Sequence, residues 1–133
     1  MITLDDARRV ISAAERKARE IGQPMNIAVV DVGESLVSHV RMDGAWLGSI
    51  DNSINKAFTA RAFDVSTAEF AANSQPGQPF FGIHVSNHGR VMIFAGGIPL
   101  RRVGSIIGAI GVSGGNGTQD DAVARAGASA LTG

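Results

Sequence analysis

The sequence predicts one α+β domain, in which helices flank a mostly antiparallel sheet of roughly five strands. Apolar residues recur at helical spacing near both ends of the chain, and β-rich segments come in runs instead of alternating with helices. A length of 133 residues with 44% hydrophobic content suffices for one core. Because strands in runs favour antiparallel pairing, we expect residues 1–133 to form a single antiparallel α+β domain.

The first predicted element is an amphipathic helix over residues 4–21. Thr3 and Asp6 form an acidic variant of the capping box at its start. Gly22 supplies the C-terminal cap, and Pro24 prevents the helix from continuing.

A β-hairpin follows this helix, with strands at 25–31 and 35–42. Gly33 is the residue of positive φ that we expect in its turn. Because an isolated hairpin is only marginally stable in water, we expect the first helix to cover one of its faces.

Two further helices are predicted in the middle of the chain. Ser49 is the expected N-cap of a helix over 50–63. Ser66 and Glu69 form a capping box for a short helix at 67–72.

The stretch 73–90 is the longest irregular segment, since it carries two prolines and three glycines. Loops longer than about 12–15 residues are usually functional or mobile. Phe80 and Phe81 would be unusual in a fully solvated loop, so we expect their rings to pack on the core or across a subunit interface.

The rest of the chain predicts three extended segments and a helix. Strands are expected at 90–94 and 103–112, with a short extended piece at 98–102 between them. Glycines interrupt the strand at 103–112, and such glycines often mark the close approach of a ligand or another backbone. Thr118 is the expected N-cap of a last helix over 119–131.

Charge and composition exclude several classes of function. Twelve Lys and Arg balance twelve Asp and Glu, so the chain lacks the basic excess of a general nucleic-acid binder. The absence of Cys excludes disulfides, thiolate metal sites and a cysteine nucleophile. The acidic start MITLDD and the lack of a long apolar stretch predict a soluble, cytoplasmic protein without a membrane partner.

Arginine outnumbers lysine ten to two. This bias reflects either genome composition or the recognition of planar anions such as carboxylates, which Arg serves better than Lys. Lys56 shares a helix face with Thr59 and has three interpretations: a structural partner for an acid, a ligand for an anion, or a base when desolvated. We favour structural pairing with an acid.

The turn at 111–120 is rich in glycine and precedes a helix, an arrangement that favours anions. No Gly-Lys-Ser/Thr follows, so the turn is not a Walker A loop, and a plain strand-to-helix connection is the simpler interpretation. Asp120 and Asp121 open the helix, where negative charge is stabilising.

Three histidines are candidate site residues. His84 and His88 are four residues apart, but glycines between and beside them disfavour a helix, and no third ligand is evident, so we expect no metal site. His39 shares a strand face with Arg41. It is either a hydrogen-bonded histidine at the sheet edge or a neutral imidazole in a pocket where Arg41 holds a carboxylate.

Three segments carry a resemblance to a known family, namely 27–45, 56–63 and 94–127. Together they are similar to the GlcG/HbpS-like family, whose domain also forms the C-terminal part of PduO-type cobalamin adenosyltransferases. The resemblance spans nearly the whole chain. It implies a profilin-like α+β fold with a roughly five-stranded antiparallel sheet, and homo-oligomers that range from dimers to octamers.

Some members of that family bind haem, and some are described as haem-degrading. The resemblance therefore implies a small-molecule-binding protein for which haem is one candidate ligand, with His39, His84 or His88 as its axial ligand. The residues that we expect to shape or line the ligand pocket are Phe80, His88, Gly96, Gly97, Pro99 and Arg101.

A few members act on small organic acids without a cofactor, which implies a second class of function. In such an enzyme Arg41 or Arg101 would hold the carboxylate of the substrate. A histidine, either His39 or His84, or the amine of Lys56 would move a proton by acid–base catalysis. A scaffold protein with a vestigial pocket is the third interpretation.

Overall fold

The structure, a computed structural model, describes residues 1–131. The strands come in two runs separated by helices, as the sequence predicts. The elements in chain order are α1 (Leu4–Glu20), β1 (Asn26–Asp31), β2 (Leu36–Arg41), α2 (Gly48–Phe63), α3 (Thr67–Ala72), β3 (Gly97–Arg102), β4 (Ser105–Ser113) and α4 (Gly117–Ser129). None of the helices in this range is long and apolar enough to cross a bilayer.

The strands form one antiparallel sheet in the order β2-β1-β4-β3, which confirms the predicted α+β class. The sheet has four strands within residues 1–131, whereas roughly five were predicted. The prediction of a strand at 90–94 is wrong. Its backbone lies along α2 instead, where the Met92 N–H donates to the Thr59 hydroxyl at 2.9 Å.

The two faces of the sheet pack against different helices. The face toward α1 and α4 forms the main core. Its large buried side chains include Ile27, Val29, Leu100, Ile110 and Val112. The opposite face packs against α2 through small residues, among them Ala57, Ala60 and Ala109.

Buried glycine lets α2 lie close to the sheet. A Cβ at Gly111 in β4 would overlap the carbonyl oxygen of Ser53 and the backbone nitrogen of Ala57, both on α2. The glycines that interrupt this predicted strand therefore mark the close approach of another backbone, as expected.

The helix ends agree with the sequence in part. The capping box of Thr3 and Asp6 is present, with both hydrogen bonds at 3.0 Å, and Gly22 follows α1 with a φ of +70°. The predicted cap of α4 is wrong, because Asn116 takes that position and accepts from the Gln119 N–H.

Two further local predictions are wrong. Ser49 does not cap α2, because the helix already begins at Gly48 and has no side-chain cap. The side chain of Ser49 is buried instead. The positive φ of the β1–β2 turn belongs to Glu34 and not to Gly33. The Asp31 carboxylate accepts from the backbone N–H of Gly33 and Ser35, so a side chain organises this turn.

Asp6 ties α1 to β3 and makes stability depend on pH. Its buried carboxylate accepts from Arg9 at 2.6 Å and from Arg102 at 2.9 Å. The hydrogen bond from Arg102 and that from the Thr3 backbone hold the pKa of Asp6 well below its usual range. A depressed folded-state pKa stabilises the fold above the unfolded pKa of about 3.9, and this stabilisation is lost as the pH falls further.

We expect Asp6→Asn to lower the free energy of unfolding at pH 7 by about 1–2 kcal/mol, since its Arg partners are partly exposed. Urea denaturation of both proteins should show this difference shrinking steadily below about pH 4. Asp5→Asn, at the exposed neighbouring position, is the matched control and should change little. An equal difference between parent and Asp6→Asn at pH 7 and pH 2 would contradict the electrostatic origin.

Candidate functional site

A cavity of about 420 Å³ opens where α2, the start of α4 and the segment 92–95 meet, and we call it the Lys56 cavity. Ser49, Lys56, Ser113 and Asp120 form its buried, polar end. Apolar ones lie toward solvent, where Trp46 is 68% exposed. The side chains that line it are those of Trp46, Ser49, Asn52, Lys56, Ala71, Gln75, Met92, Ile93, Phe94, Ala95, Ser113 and Asp120, beside two glycines of the turn before α4 and Gly117 at the start of that helix.

A buried ion pair lies at the end of this cavity. Lys56 is 3% exposed, and its Nζ donates to Asp120 Oδ2 at 2.8 Å and to the Val112 carbonyl oxygen at 3.0 Å. Burial lowers the pKa of Lys56, while the charge and hydrogen bond of Asp120 oppose that shift. Because a buried ion pair is weak evidence for stability, its place beside a cavity suggests a further role.

Two buried serines lie beside this pair. The Ser113 hydroxyl donates to the Ser49 hydroxyl at 3.1 Å. Each hydroxyl carries one proton, and the structure of residues 1–131 shows one hydrogen bond for the two. One hydroxyl proton therefore remains for a molecule in the cavity.

Two glycines allow the chain to pass close to Lys56. Gly96 has a φ of +126°, and a Cβ there would overlap the Val112 carbonyl oxygen and press on the side chains of Lys56 and Asp120. A Cβ at Gly97 would overlap the Lys56 carbonyl oxygen. The structure thus places these two expected pocket-shaping residues in the wall behind the ion pair.

The glycine-rich turn before α4 binds a carboxylate of the protein itself, that of Asp120. The Gly115 N–H donates to Asp120 Oδ1 at 2.9 Å, and the Asn116 side chain caps the helix. The carboxylate of Asp120 thus takes a turn amide that the sequence analysis considered for an external anion.

His39 lies elsewhere, in β2 opposite Ala28. It is half-buried and its Nε2 has no hydrogen-bond partner. Burial and the nearby charge of Arg41 lower its pKa, so the imidazole is neutral at neutral pH. Arg41 is exposed and lines a different cavity with Glu15 and Arg19.

The loop residues form a separate group. His84 packs its ring on Phe81, with centroids 5.9 Å apart, and its Nδ1 is buried without a partner. His88 is exposed at a φ of +58°. Phe80 stacks on Phe70 at the edge of an apolar cavity of about 400 Å³.

The other predicted residues lie at the edge strand β3. Pro99 and Arg101 line a further cavity with Arg125 and Ser129. Among the predicted site residues, Gly96 and Gly97 are the ones that the structure places against Lys56. In the described part of the chain, no group of three His, Asp or Glu side chains could hold a metal ion.

Sequence reasoning missed Trp46, Ser49, Ser113 and Asp120 as site residues. The chain has only two lysines, and one of them falls among apolar helix positions. That signal predicted an acid partner for Lys56, which the structure confirms, but it did not identify Asp120.

Known proteins resemble this chain along almost its full length. The family model for haem degrading protein HbpS-like matches residues 2–129. An uncharacterised 15.0 kDa protein from the dhaT-dhaS intergenic region of Citrobacter freundii is 42% identical over 93% of this chain and 87% of its own. The corrinoid adenosyltransferase PduO of the same organism is 32% identical, and the match covers 98% of this chain and 39% of that protein.

Two solved structures share the fold closely. The ORFY protein of Klebsiella pneumoniae superimposes with a TM-score of 0.95 at 38% identity, covering 98% of this chain and 90% of that one. A PduOC:haem complex gives a TM-score of 0.93 at 31% identity, covering 98% and 95%. On its sequence match and on its fold, this chain belongs to the HbpS-like family.

Proposed function

We propose that this chain is a small-molecule-binding protein whose ligand is a small organic carboxylic acid held in the Lys56 cavity. One observation carries the proposal, namely that the buried end of the cavity has hydrogen-bond donors left over. Lys56 has three N–H positions and uses two of them on the protein. The pair of Ser49 and Ser113 supplies one more proton.

These donors suit a carboxylate. Hydrogen bonds from an ammonium group to a carboxylate are charge-assisted and stronger than neutral ones. The start of α4 adds a favourable potential for negative charge. Asp120 is already bonded to Lys56 and Gly115, so both of its oxygens have donors before a ligand enters.

The outer part of the cavity suits a short carbon skeleton. Trp46, Met92 and Phe94 form an apolar rim around the polar end. A volume of about 420 Å³ lies within the usual range for ligand pockets, which combine apolar walls with a few placed polar groups. Arg41 and Arg101 line other cavities, so the acid is held by Lys56 and the serines instead.

Trp46 is the one tryptophan of the chain and reports on this cavity directly. Titration with 2-oxobutyrate should give a saturable change in tryptophan fluorescence, whereas 2-oxobutyramide, its neutral isostere, should bind far more weakly. Ser49→Ala with Ser113→Ala should weaken binding of the acid by about tenfold. Arg41→Ala and Arg101→Ala are the matched controls and should leave it unchanged. Equal binding of acid and amide would overturn the proposal.

Haem is the second candidate ligand, and the relevant finding is the haem complex of a structural neighbour that is 31% identical. Within one chain, two of the three histidines are not placed to ligate haem iron. The partnerless Nε2 of His39 and Nδ1 of His84 are buried, and neither residue borders the Lys56 cavity or any of four further cavities formed within residues 1–131. Haem ligation by these atoms therefore requires a rearrangement or a second chain.

A haem titration followed in the Soret region separates these ligands. We expect the same spectra from the parent, His39→Ala, His84→Ala and His88→Ala, because none of these imidazoles borders the five cavities described within residues 1–131. A shifted, saturable band that one variant loses would instead establish haem as the ligand and identify its axial residue.

Homo-oligomer formation, which the family resemblance implies, stays a prediction, as does a cytoplasmic location. Exposed apolar side chains support the prediction of an oligomer, since large exposed apolar patches mark interaction surfaces. They include Trp46, Leu47, Phe81, Val85 and Phe94.

A further inference from the structure

We propose that Lys56 transfers a proton to and from the ligand, and that the ligand is a 2-oxo acid, which the chain interconverts between its keto and enolate forms. This inference rests on the proposed function, because it assigns a reaction to the same cavity. It requires a base beside the carbon that loses the proton and a donor for the oxygen that gains charge.

The two hydrogen bonds of Lys56 Nζ determine where the third substituent position of the amine points. The nitrogen is tetrahedral, and two of its N–H groups donate to Val112 and Asp120. The third position is left for the cavity that Lys56 lines. It carries an N–H when the amine is protonated and the lone pair when it is neutral, so one point in the cavity can both give and take a proton.

Burial favours the neutral form of the amine. Desolvation lowers the pKa of Lys56, and Asp120 reduces this shift without reversing it. Among residues 1–131, Asp120 is the only ionisable group paired with this amine. Buried lysines of this kind serve as general bases in other proteins.

The two serines are placed to meet the oxygen of the ligand. Ser113 directly follows Val112, whose carbonyl oxygen holds the amine. Ser49 is seven residues before Lys56, hence on the same face of α2 and about 10 Å along its axis. A short molecule between these points can have a C–H at the lone pair of the neutral amine and its C2 oxygen at the free hydroxyl proton. In this state the neutral amine no longer holds the carboxylate, which lies instead toward the start of α4 at Gly117.

The reaction balances without a redox partner. The lone pair of Lys56 forms an N–H bond with a proton from C3 of the 2-oxo acid. The electrons of the broken C–H bond form the C2=C3 double bond, and the carbonyl electron pair moves onto oxygen, where the serine hydroxyl donates a hydrogen bond. The reverse steps return a proton from the ammonium to C3.

Hydrogen exchange measures this step directly. The full chain is incubated with 2-oxobutyrate in deuterium oxide, and proton NMR follows the loss of the C3 methylene signal. The parent should exchange it on the order of 100-fold faster than Lys56→Met combined with Asp120→Asn. Both substitutions are made together so that no buried charge is left unpaired, and circular dichroism checks the fold.

Trp46 fluorescence, measured on the same samples, separates the ways in which the inference can fail. Saturable binding of 2-oxobutyrate without accelerated exchange would overturn proton transfer and leave the proposed function standing. Failure of the parent to bind it would overturn both. Reduction with sodium borohydride that adds the ligand to Lys56 would also contradict direct proton transfer, because it would show a covalent imine.

Discussion

Replacing Lys56 with Met alone should lower the free energy of unfolding by about 3–5 kcal/mol, because Asp120 would stay buried without its cation. Both partners are almost fully buried, and their contact at 2.8 Å joins α2 to α4 across the end of the sheet. A loss of this size is a large part of the 5–15 kcal/mol typical of a domain. Urea denaturation monitored by circular dichroism measures it.

The matched variant combines Lys56→Met with Asp120→Asn. An amide oxygen at position 120 can still accept from the Gly115 N–H, and the unpaired charge is gone. We expect this double variant to regain most of the lost stability. A single variant as stable as the parent, or a double variant no better than the single one, would show that the pair is not desolvated as the structure indicates.

Gly111→Ala should destabilise the fold by about 3 kcal/mol, at the upper end of the usual range for overpacking. Its new Cβ would overlap backbone atoms of Ser53 and Ala57, so α2 would have to move away from β4. Backbone atoms cannot rotate aside as a long side chain can. Thermal unfolding should show a lower Tm, together with weaker ligand binding, since α2 carries Lys56.

Gly48→Ala is the control for this substitution. Gly48 lies at the first position of α2, and a Cβ there would meet nothing within 4 Å. Because Ala favours a helix more than Gly does, this change should be neutral or stabilising by up to about 1 kcal/mol. Equal losses from both substitutions would contradict the close approach of α2 to the sheet.

Local patterns predicted most of the fold. The capping box of α1 and the spacing of its apolar residues depend on neighbours within one or two turns, which the sequence displays. The strand predicted at 90–94 does not form, because its β-rich residues make contacts other than strand pairing. Val91 packs on Phe58 and Phe70, and the Thr59 side chain bonds the Met92 backbone in place of a neighbouring strand.

The candidate site was less predictable, because its contacts join distant parts of the chain. Lys56 and Asp120 are 64 residues apart, as are Ser49 and Ser113. Ser49 and Asp120 each had a sufficient local explanation as helix-terminal residues, so nothing in the sequence required them to meet. The composition indicated only that a lysine on the buried side of a helix needs an acid.

The position of a bound acid is the most direct test of the Lys56 cavity as the ligand site. A crystal structure of the chain with 2-oxobutyrate should show the carboxylic acid between Lys56 and the rim at Trp46, with an oxygen within hydrogen-bond distance of Ser49 or Ser113. Density for the acid at Arg41 or Arg101, with an empty Lys56 cavity, would contradict it.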